Sequence, residues 1–164
     1  MSDTEQFSTM KNSDDLFNWF YDVWVKRDHN RIAGAFHPEL SIFGPLHGAI
    51  SAEEDYAEIV HTLANLLVDI DITKTHGVTE GDLCAVRLHV TGRGVHSDQV
   101  LDYYGQLMVR LENGQIREFL SNFDYMTMFE QLGQLPDDCL PICMTGERLQ
   151  WVEPATSRPQ GNES

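Results

Sequence analysis

LENGQIREFLSNFDYMTMFEQLGQLP, residues 111–136, predicts the order of the elements that end the domain, because a two-residue hydrophobic period changes to a helical period within it. Asn113 and Gly114 separate two alternating segments, and this pair is a strong hairpin signal because both central positions of the tight turn need a positive φ. After Asp124, apolar residues return at helical spacing until Gly133 ends the run. The stretch therefore predicts a hairpin strand that leads, at Asp124, directly into a short helix.

Alternation of apolar and polar residues extends over most of the second half of the chain, in segments that turn residues separate. The segments are residues 70–78, 83–93, 100–111 and 115–123. Short connections favour antiparallel neighbours, so the four segments predict a four-stranded antiparallel meander.

The first half of the chain is predicted to be mainly helical. Apolar residues cover most of the girth of a helix over residues 13–28, and residues 30–36 predict a short second helix. A short strand is expected at residues 40–45. Ser51 and Glu54 have the spacing of a capping box, and helical periodicity follows them. This order of elements predicts an α+β domain with helices on one face of a curved sheet.

Changes of pattern set the expected domain boundaries. Residues 1–12 are polar and patternless and are predicted to form a flexible N-terminal arm. Residues 13–136 form the predicted domain. Residues 137–164 contain several prolines and no periodicity, so we expect an irregular C-terminal tail.

The charge balance excludes some partners. Eleven Lys and Arg face 26 Asp and Glu in a chain of 164 residues, so the formal charge is −15. Binding to nucleic acid or to an anionic membrane depends on basic side chains that neutralise phosphates, so neither partner is predicted. The N-terminal residues lack the basic segment and apolar run of a secretory signal, and the chain is expected to be cytoplasmic.

The motifs predict neither a metal site nor a cofactor. The seven histidines stand at no metal-ligand spacing, and no Gly-rich phosphate loop or dinucleotide fingerprint occurs. Three cysteines at unrelated spacing give no disulfide framework, and Cys139 and Cys143 do not have the Cys-x-x-Cys redox spacing.

The segment VRLHVTGRG at residues 86–94, together with residues 111–136, resembles the SnoaL-like, or polyketide cyclase-like, branch of the NTF2-like superfamily, which also contains ketosteroid isomerase. The resemblance covers residues 13–136. The residues that match the family pattern are Arg87, Gly92, Asn113, Gly114, Gln115, Ile116, Glu118, Asp124, Gln131, Leu132 and Gly133. Leu120 stands where the family has a Trp, and His96 and Asp98 match its usual His or Glu only approximately.

The resemblance implies an NTF2-like cone, in which a curved antiparallel sheet carries three main helices on its concave face and a short C-terminal helix. Such a cone leaves an apolar cavity with a few convergent polar groups. A carboxylic acid in that cavity is desolvated, so its pKa rises and it can transfer a proton near neutral pH. The same scaffold hosts enzymes, adaptors and binding proteins, so the fold does not define the reaction.

Residues of one parity on the predicted strands could bring polar side chains together on the cavity side of the sheet. Asp124 and His89 are the predicted catalytic residues. The predicted substrate-binding residues are Tyr104, Asn122, Arg87, Asp102, Gln106 and Glu118. Asp124 is alternatively a helix N-cap alone, and His89 a solvent-facing strand residue. Arg87 is alternatively a structural partner of Glu118 or Asp102.

Two functions fit these residues. The first is a small-molecule-binding protein that acts as a cofactor-free acid–base enzyme, an isomerase, cyclase, dehydratase or hydrolase, on an apolar cyclic substrate. The second is a non-catalytic ligand-binding or dimeric adaptor domain. A homodimer is expected because the first helix is apolar around most of its girth, and the resemblance points the same way.

Overall fold

The computed structural model describes residues 9–96, 98–150 and 152. Its elements are α1 (Ser13–Trp24), a 3₁₀ turn (His29–Arg31), β1 (Phe36–Phe43), α2 (Glu53–Ala64), β2 (Leu67–Glu80), β3 (Leu83–Gly94), β4 (Val100–Glu112), β5 (Gln115–Phe123), α3 (Tyr125–Gln131) and α4 (Cys139–Met144). Helices on one face of a curved sheet make an α+β cone, which confirms the predicted fold class. None of these helices is long and apolar enough to cross a membrane.

The strands form one sheet in the order β1-β5-β4-β3-β2. Strands β2 to β5 are joined as the predicted antiparallel meander. β1 lies parallel to β5, so the sheet is mixed rather than antiparallel throughout. The parallel pair has no signal in the sequence, because its strands are joined through most of the domain rather than by a tight turn.

β1 begins earlier than the sequence pattern predicts. The pattern predicts a helix at residues 30–36 and a strand at residues 40–45, whereas the strand starts at Phe36. The Phe36 ring packs edge-on against Trp19 and Phe119, with centroids 5.8 and 5.7 Å apart. Burial of this ring between the helices and the sheet outweighs the weak local preference for helix.

Asp55, rather than the predicted Glu54, completes the N-terminal cap of α2. The helix begins at Glu53, one residue later than the predicted box requires. The Asp55 carboxylate accepts hydrogen bonds from the Ser51 N–H (2.8 Å), the Ser51 hydroxyl (2.5 Å) and the Ala52 N–H (3.2 Å). These bonds, the one from the Ser51 hydroxyl above all, lower the pKa of the Asp55 carboxyl below its ordinary value.

An aromatic cluster joins α1 and α2 to the concave face of the sheet. Tyr56 on α2 contacts Phe119 on β5 and Phe36 on β1, with ring centroids 5.5 and 5.1 Å apart. Trp19 on α1 stacks on the same tyrosine at 5.8 Å. Aromatic pairs of this geometry add about 1 kcal/mol each beyond the area they bury, so they hold both helices in place.

β5 contains a bulge that changes the parity of its buried side chains. Ile116 and Phe119 are both buried although three positions separate them, and the pairing with β4 shifts register at the same place. Beyond the bulge, Phe119 and Ser121 lie on the concave side, while Glu118 and Asn122 lie on the convex side. The bulge therefore separates Ile116 from the strand residues that share its sequence parity.

Segments near both ends of the described chain, around Met10 and at α4, pack on the domain. Residues 1–8 of the predicted arm lie outside the described residues, but Met10 is buried and its N–H donates to the Gly114 carbonyl at 3.1 Å. Met10 thus attaches the chain to the β4–β5 hairpin before α1 begins. At the other end, the segment predicted to be irregular after residue 136 contains α4, which packs on α3 and buries Cys139.

Candidate functional site

A cavity lies inside the cone, between the concave face of the sheet and helices α1, α2 and α3. Apolar side chains make up most of its wall. The volume that the centre of a water-sized sphere can occupy inside the cavity is about 50 Å³. Pockets for drug-sized ligands have volumes of roughly 300–1,000 Å³. The cavity therefore accepts a ligand larger than a few atoms only if part of its wall moves.

Four hydroxyl groups interrupt the apolar wall, and they belong to Tyr56, Tyr103, Ser121 and Tyr125. The Tyr56 hydroxyl accepts a hydrogen bond from Nε1 of Trp24 at 3.2 Å. Within the described part of the chain, the side chains of Tyr103, Tyr125 and Ser121 have no hydrogen-bond partner. Each of these three hydroxyl oxygens keeps some accessible surface, so the three groups are available to a ligand or to water.

Burial keeps the phenols of Tyr56, Tyr103 and Tyr125 neutral. It is the main cause that raises the pKa of Tyr56 and of Tyr103 above the ordinary value, and the nearby Tyr125 phenol adds to both shifts. Burial alone raises the pKa of Tyr125 to about 12. At neutral pH each phenol therefore offers a proton donor, without a charge, to an acceptor in the cavity.

No ionisable group other than these phenols lines the cavity among residues 9–96, 98–150 and 152. The same residues contain no group of three or more His, Cys, Asp or Glu side chains that could hold a metal ion. The polar side-chain groups of the described cavity wall are therefore its four hydroxyls and the Trp24 indole N–H, which donates to Tyr56.

The eight predicted site residues do not line this cavity, so the expectation that they face it is wrong. They are Arg87, His89, Asp102, Tyr104, Gln106, Glu118, Asn122 and Asp124. On β3 and β4 the buried parity is that of Leu88, Tyr103 and Leu107, and the predicted residues have the opposite parity. The apolar side chains of these strands lie on the concave side, because covering them with the helices removes more apolar surface from water than covering the polar side chains would.

Six of the eight residues form a cluster on the convex face, which we call the convex cluster. It consists of Arg87, His89, Asp102, Tyr104, Gln106 and Asn122. His89 Nε2 lies 2.8 Å from Asp102 Oδ1, and the His89 ring stacks on Tyr104 with centroids 4.6 Å apart. The Arg87 guanidinium lies 4.2 Å from the centre of the same tyrosine ring. The cluster is open to solvent, which screens its charges.

Glu118 and Asp124 make their hydrogen bonds away from the convex cluster, although Asp124 lines an exposed hollow together with Arg87, Tyr104, Gln106 and Asn122 of that cluster. Glu118 Oε2 lies 3.2 Å from Nε of Arg110, so its predicted pairing with Arg87 is not formed. Asp124 Oδ1 accepts a hydrogen bond from the Thr127 N–H (3.0 Å), and Oδ2 accepts one from the Thr127 hydroxyl (2.7 Å). The exposed Asp124 carboxylate is therefore turned into the N-terminus of α3, as the helix-cap alternative predicts.

A family model described as the SnoaL-like domain matches residues 18–119. The chain belongs to the SnoaL-like family. TsrD from Streptomyces laurentii is 21% identical, with a TM-score of 0.64 over 74% of this chain and 95% of that chain. IdmH from Streptomyces antibioticus, a proposed polyketide cyclase, is 20% identical, with a TM-score of 0.61 over 75% of this chain and 99% of that chain.

A third solved structure of similar fold is AclR from Streptomyces galilaeus, a proposed hydroxylase. It is 16% identical, with a TM-score of 0.66 over 82% of this chain and 88% of that chain. Identities at this level establish the SnoaL-like fold and nothing about the reaction. No curated protein matches the chain.

The polar groups of this SnoaL-like cone are residues that sequence reasoning missed. Tyr103 belongs to the apolar parity of β4, and Ser121 and Tyr125 stand beside the residues chosen as candidates. The sequence does contain a signal for Tyr103, because this residue carries a hydroxyl on an otherwise apolar strand face. Such a hydroxyl needs a partner inside the fold, whereas a polar group on the wet face does not.

Proposed function

We propose that this SnoaL-like chain binds an uncharged, largely apolar small molecule inside the cone and holds it by hydrogen bonds from neutral hydroxyl groups. The observation that carries the proposal is that the phenols of Tyr103 and Tyr125 line an apolar cavity without a partner in the described chain. A neutral phenol donates a hydrogen bond to a carbonyl oxygen, while the apolar wall contacts the rest of the ligand. A ring ketone has both features.

Binding alone fits this geometry better than the predicted acid–base enzyme. General acid–base catalysis needs a proton acceptor within hydrogen-bond reach of the reacting group. The described cavity wall offers phenols with raised pKa values, but neither a carboxylate nor an imidazole. Asp124 and His89, the predicted acid–base residues, lie outside the cone. The ligand-binding alternative therefore becomes the main proposal.

The similar structures guide the choice of ligand. IdmH is a proposed polyketide cyclase, and polyketide-derived rings carry ketones on an apolar skeleton. Acetophenone and 1-tetralone are therefore suitable first probes. Toluene is the matched probe that fills apolar space but has no acceptor for a phenol.

The test is a fluorescence titration of the purified protein, because Trp24 lines the cavity and reports on a bound ring. Tyr103→Phe removes one donor and keeps the ring, so acetophenone should bind about two- to tenfold more weakly, the value of one hydrogen bond. Tyr104→Phe is the matched control, because the next side chain lies on the convex face. Toluene should bind both variants and the wild type equally.

Two results would contradict the proposal. One is that neither ketone shows saturable binding to the wild-type protein. The other is that the double variant Tyr103→Phe/Tyr125→Phe binds both ketones as tightly as the wild type does.

We also propose that the predicted homodimer forms through the convex face of the sheet. One cross-strand row on that face is apolar on all five strands, through Val78, Ala85, Met108, Leu120 and Phe43. Three of its side chains are 60%, 40% and 49% exposed, namely those of Val78, Met108 and Phe43. A continuous apolar row of this kind is common at subunit interfaces and can match itself across a two-fold axis.

The first helix, whose apolar girth suggests a partner, uses that surface within its own subunit, since α1 packs on β2 and β3.

Met108→Glu should convert the dimer to a monomer in size-exclusion chromatography with light scattering. Val95→Glu, at an exposed turn after β3, is the matched control. A wild-type protein that is monomeric at about 100 μM would refute this proposal, because stable dimers have micromolar or tighter affinity. The cytoplasmic location stays a prediction.

A further inference from the structure

We infer that ligands reach the cone cavity through a thin wall between the β1–α2 loop and helix α2, and that two carboxylates outside this wall favour uncharged or cationic ligands over anionic ones. The inference rests on the proposed function, since it concerns how a ligand of the cone enters and which ligands are admitted.

A groove of about 330 Å³ lies on the outside of the cone, between the β1–α2 loop and α2. Leu46, Ile59 and Leu63 line both this groove and the inner cavity. Each of the three is half-buried, which is expected of a side chain with the cavity on one side and solvent on the other. We call these three residues the portal wall, because a single layer of side chains separates the two spaces there.

The loop side of the portal wall, which carries Leu46, can move without breaking hydrogen bonds to the sheet or to α2. In the described structure, the hydrogen bonds of residues 45–49 all run within residues 44–49. Gly44 anchors the start of the loop, because its φ is +100° and a Cβ there would lie 2.3 Å from the Ser121 carbonyl oxygen. Leu46 follows this anchor and can swing outward with the loop.

A second route past Phe123 and Tyr125 is held more firmly. These two residues line the cavity and also a hollow on the outside of the sheet. Phe123 stacks on Phe20 at 5.7 Å and contacts Tyr125 at 6.1 Å, and Tyr125 stacks on Phe129 at 6.3 Å. Four rings packed in series must rearrange to open that route, whereas the portal wall consists of three aliphatic side chains.

Asp55 and Glu58 line the groove beside the portal wall, and we call them the acidic rim. Hydrogen bonds from Ser51 lower the pKa of Asp55, so this carboxylate is ionised at neutral pH. No basic side chain lines the groove in the described chain. An anion that approaches the portal wall meets both carboxylates in a chain of net charge −15, and an uncharged ligand does not.

The test compares acetophenone with benzoate, which has a similar shape but carries a negative charge. Their association rates are measured by stopped-flow fluorescence at low ionic strength, where charge effects are largest. Benzoate should associate more slowly than acetophenone with the wild type. Glu58→Lys should raise the benzoate rate about threefold or more and change the acetophenone rate less than about twofold.

Glu80→Lys is the matched control, because it changes the net charge equally at the far end of β2. Glu80 follows Ile72 of the cavity wall by eight strand residues, which places it about 26 Å further along the strand. If both variants raise the benzoate rate alike, the acidic rim does not select ligands and that part of the inference is wrong.

The route itself is tested with Ile59→Ala, which removes side-chain volume from the portal wall. Association and dissociation of acetophenone should both become about threefold faster or more, with a smaller change in affinity, because a gate affects both directions. Ile72→Ala, on the sheet side of the cavity, enlarges the cavity without opening the wall and should not accelerate both rates. Unchanged rates in Ile59→Ala would overturn the route while the proposed function stands. Absence of saturable acetophenone binding in the wild type would overturn both.

Discussion

Asp124 matches the family pattern, yet the structure uses it as a helix cap, and substitution separates these two roles. Asp124→Ala removes both hydrogen bonds to Thr127, at 3.0 and 2.7 Å. Loss of an N-cap costs about 1 kcal/mol of stability. Because α3 has only seven residues, few other contacts within the helix can offset this loss. We therefore expect the free energy of unfolding to fall by about 1 kcal/mol and Tm by about 2–4 °C.

Asp124→Asn distinguishes a cap from a proton-transfer group, because Asn caps a helix about as well as Asp but cannot transfer a proton. Urea unfolding followed by circular dichroism gives the stability of both variants, and the acetophenone titration gives their ligand affinity. The expected result is that Asn restores most of the lost stability and that both variants bind acetophenone like the wild type. The reasoning is refuted if Asn and Ala are equally destabilising, or if a fully folded Asp124→Asn variant no longer binds the ketone.

Three other measurements test the core and the titrating groups. Phe119→Ala should lower the free energy of unfolding by about 3–5 kcal/mol in urea, and a loss below about 1 kcal/mol would contradict the aromatic packing. Burial raises the pKa of Tyr103 and Tyr125, so the stability that their neutral forms contribute is present below about pH 10 and is lost as the pH rises towards 12. Phenolate absorbance should therefore show these two ionising only with alkaline unfolding, and ionisation in the native protein near pH 10 would argue against their burial. Ser51→Ala should destabilise fully above about pH 4, and the loss should shrink as the pH falls further, because the Ser51 hydroxyl holds the pKa of Asp55 below its ordinary value and protonation removes that contribution. Urea unfolding at neutral pH and at about pH 3 checks this, and an equal loss at both would contradict it.

The local elements are largely predictable because their signals are local. Asn113 and Gly114 have φ values of 52° and 79°, as the predicted hairpin turn requires. The helix after Asp124 begins and ends close to its predicted positions for the same reason. β1 was less accessible to sequence reasoning, since its start depends on the packing of Phe36 against residues far away in the chain.

The candidate site was less predictable than the fold. Strand alternation correctly groups Arg87 with His89, and Asp102 with Tyr104, and the structure brings these four residues together. Alternation does not state which side of the sheet the helices cover. The chosen residues therefore form a real cluster, but on the face opposite the cavity.

Tyr103 and Tyr104 summarise the division between sequence and tertiary structure. Their position on neighbouring residues of a strand is enough to place them on opposite faces of it, because successive side chains of a strand alternate. Which of the two lines the cavity depends on the face that the helices cover. Burying the parity of Tyr103 under α1 and α2 also buries Leu101 and Leu107, and this sum of apolar surface over many residues is not a property of any short segment.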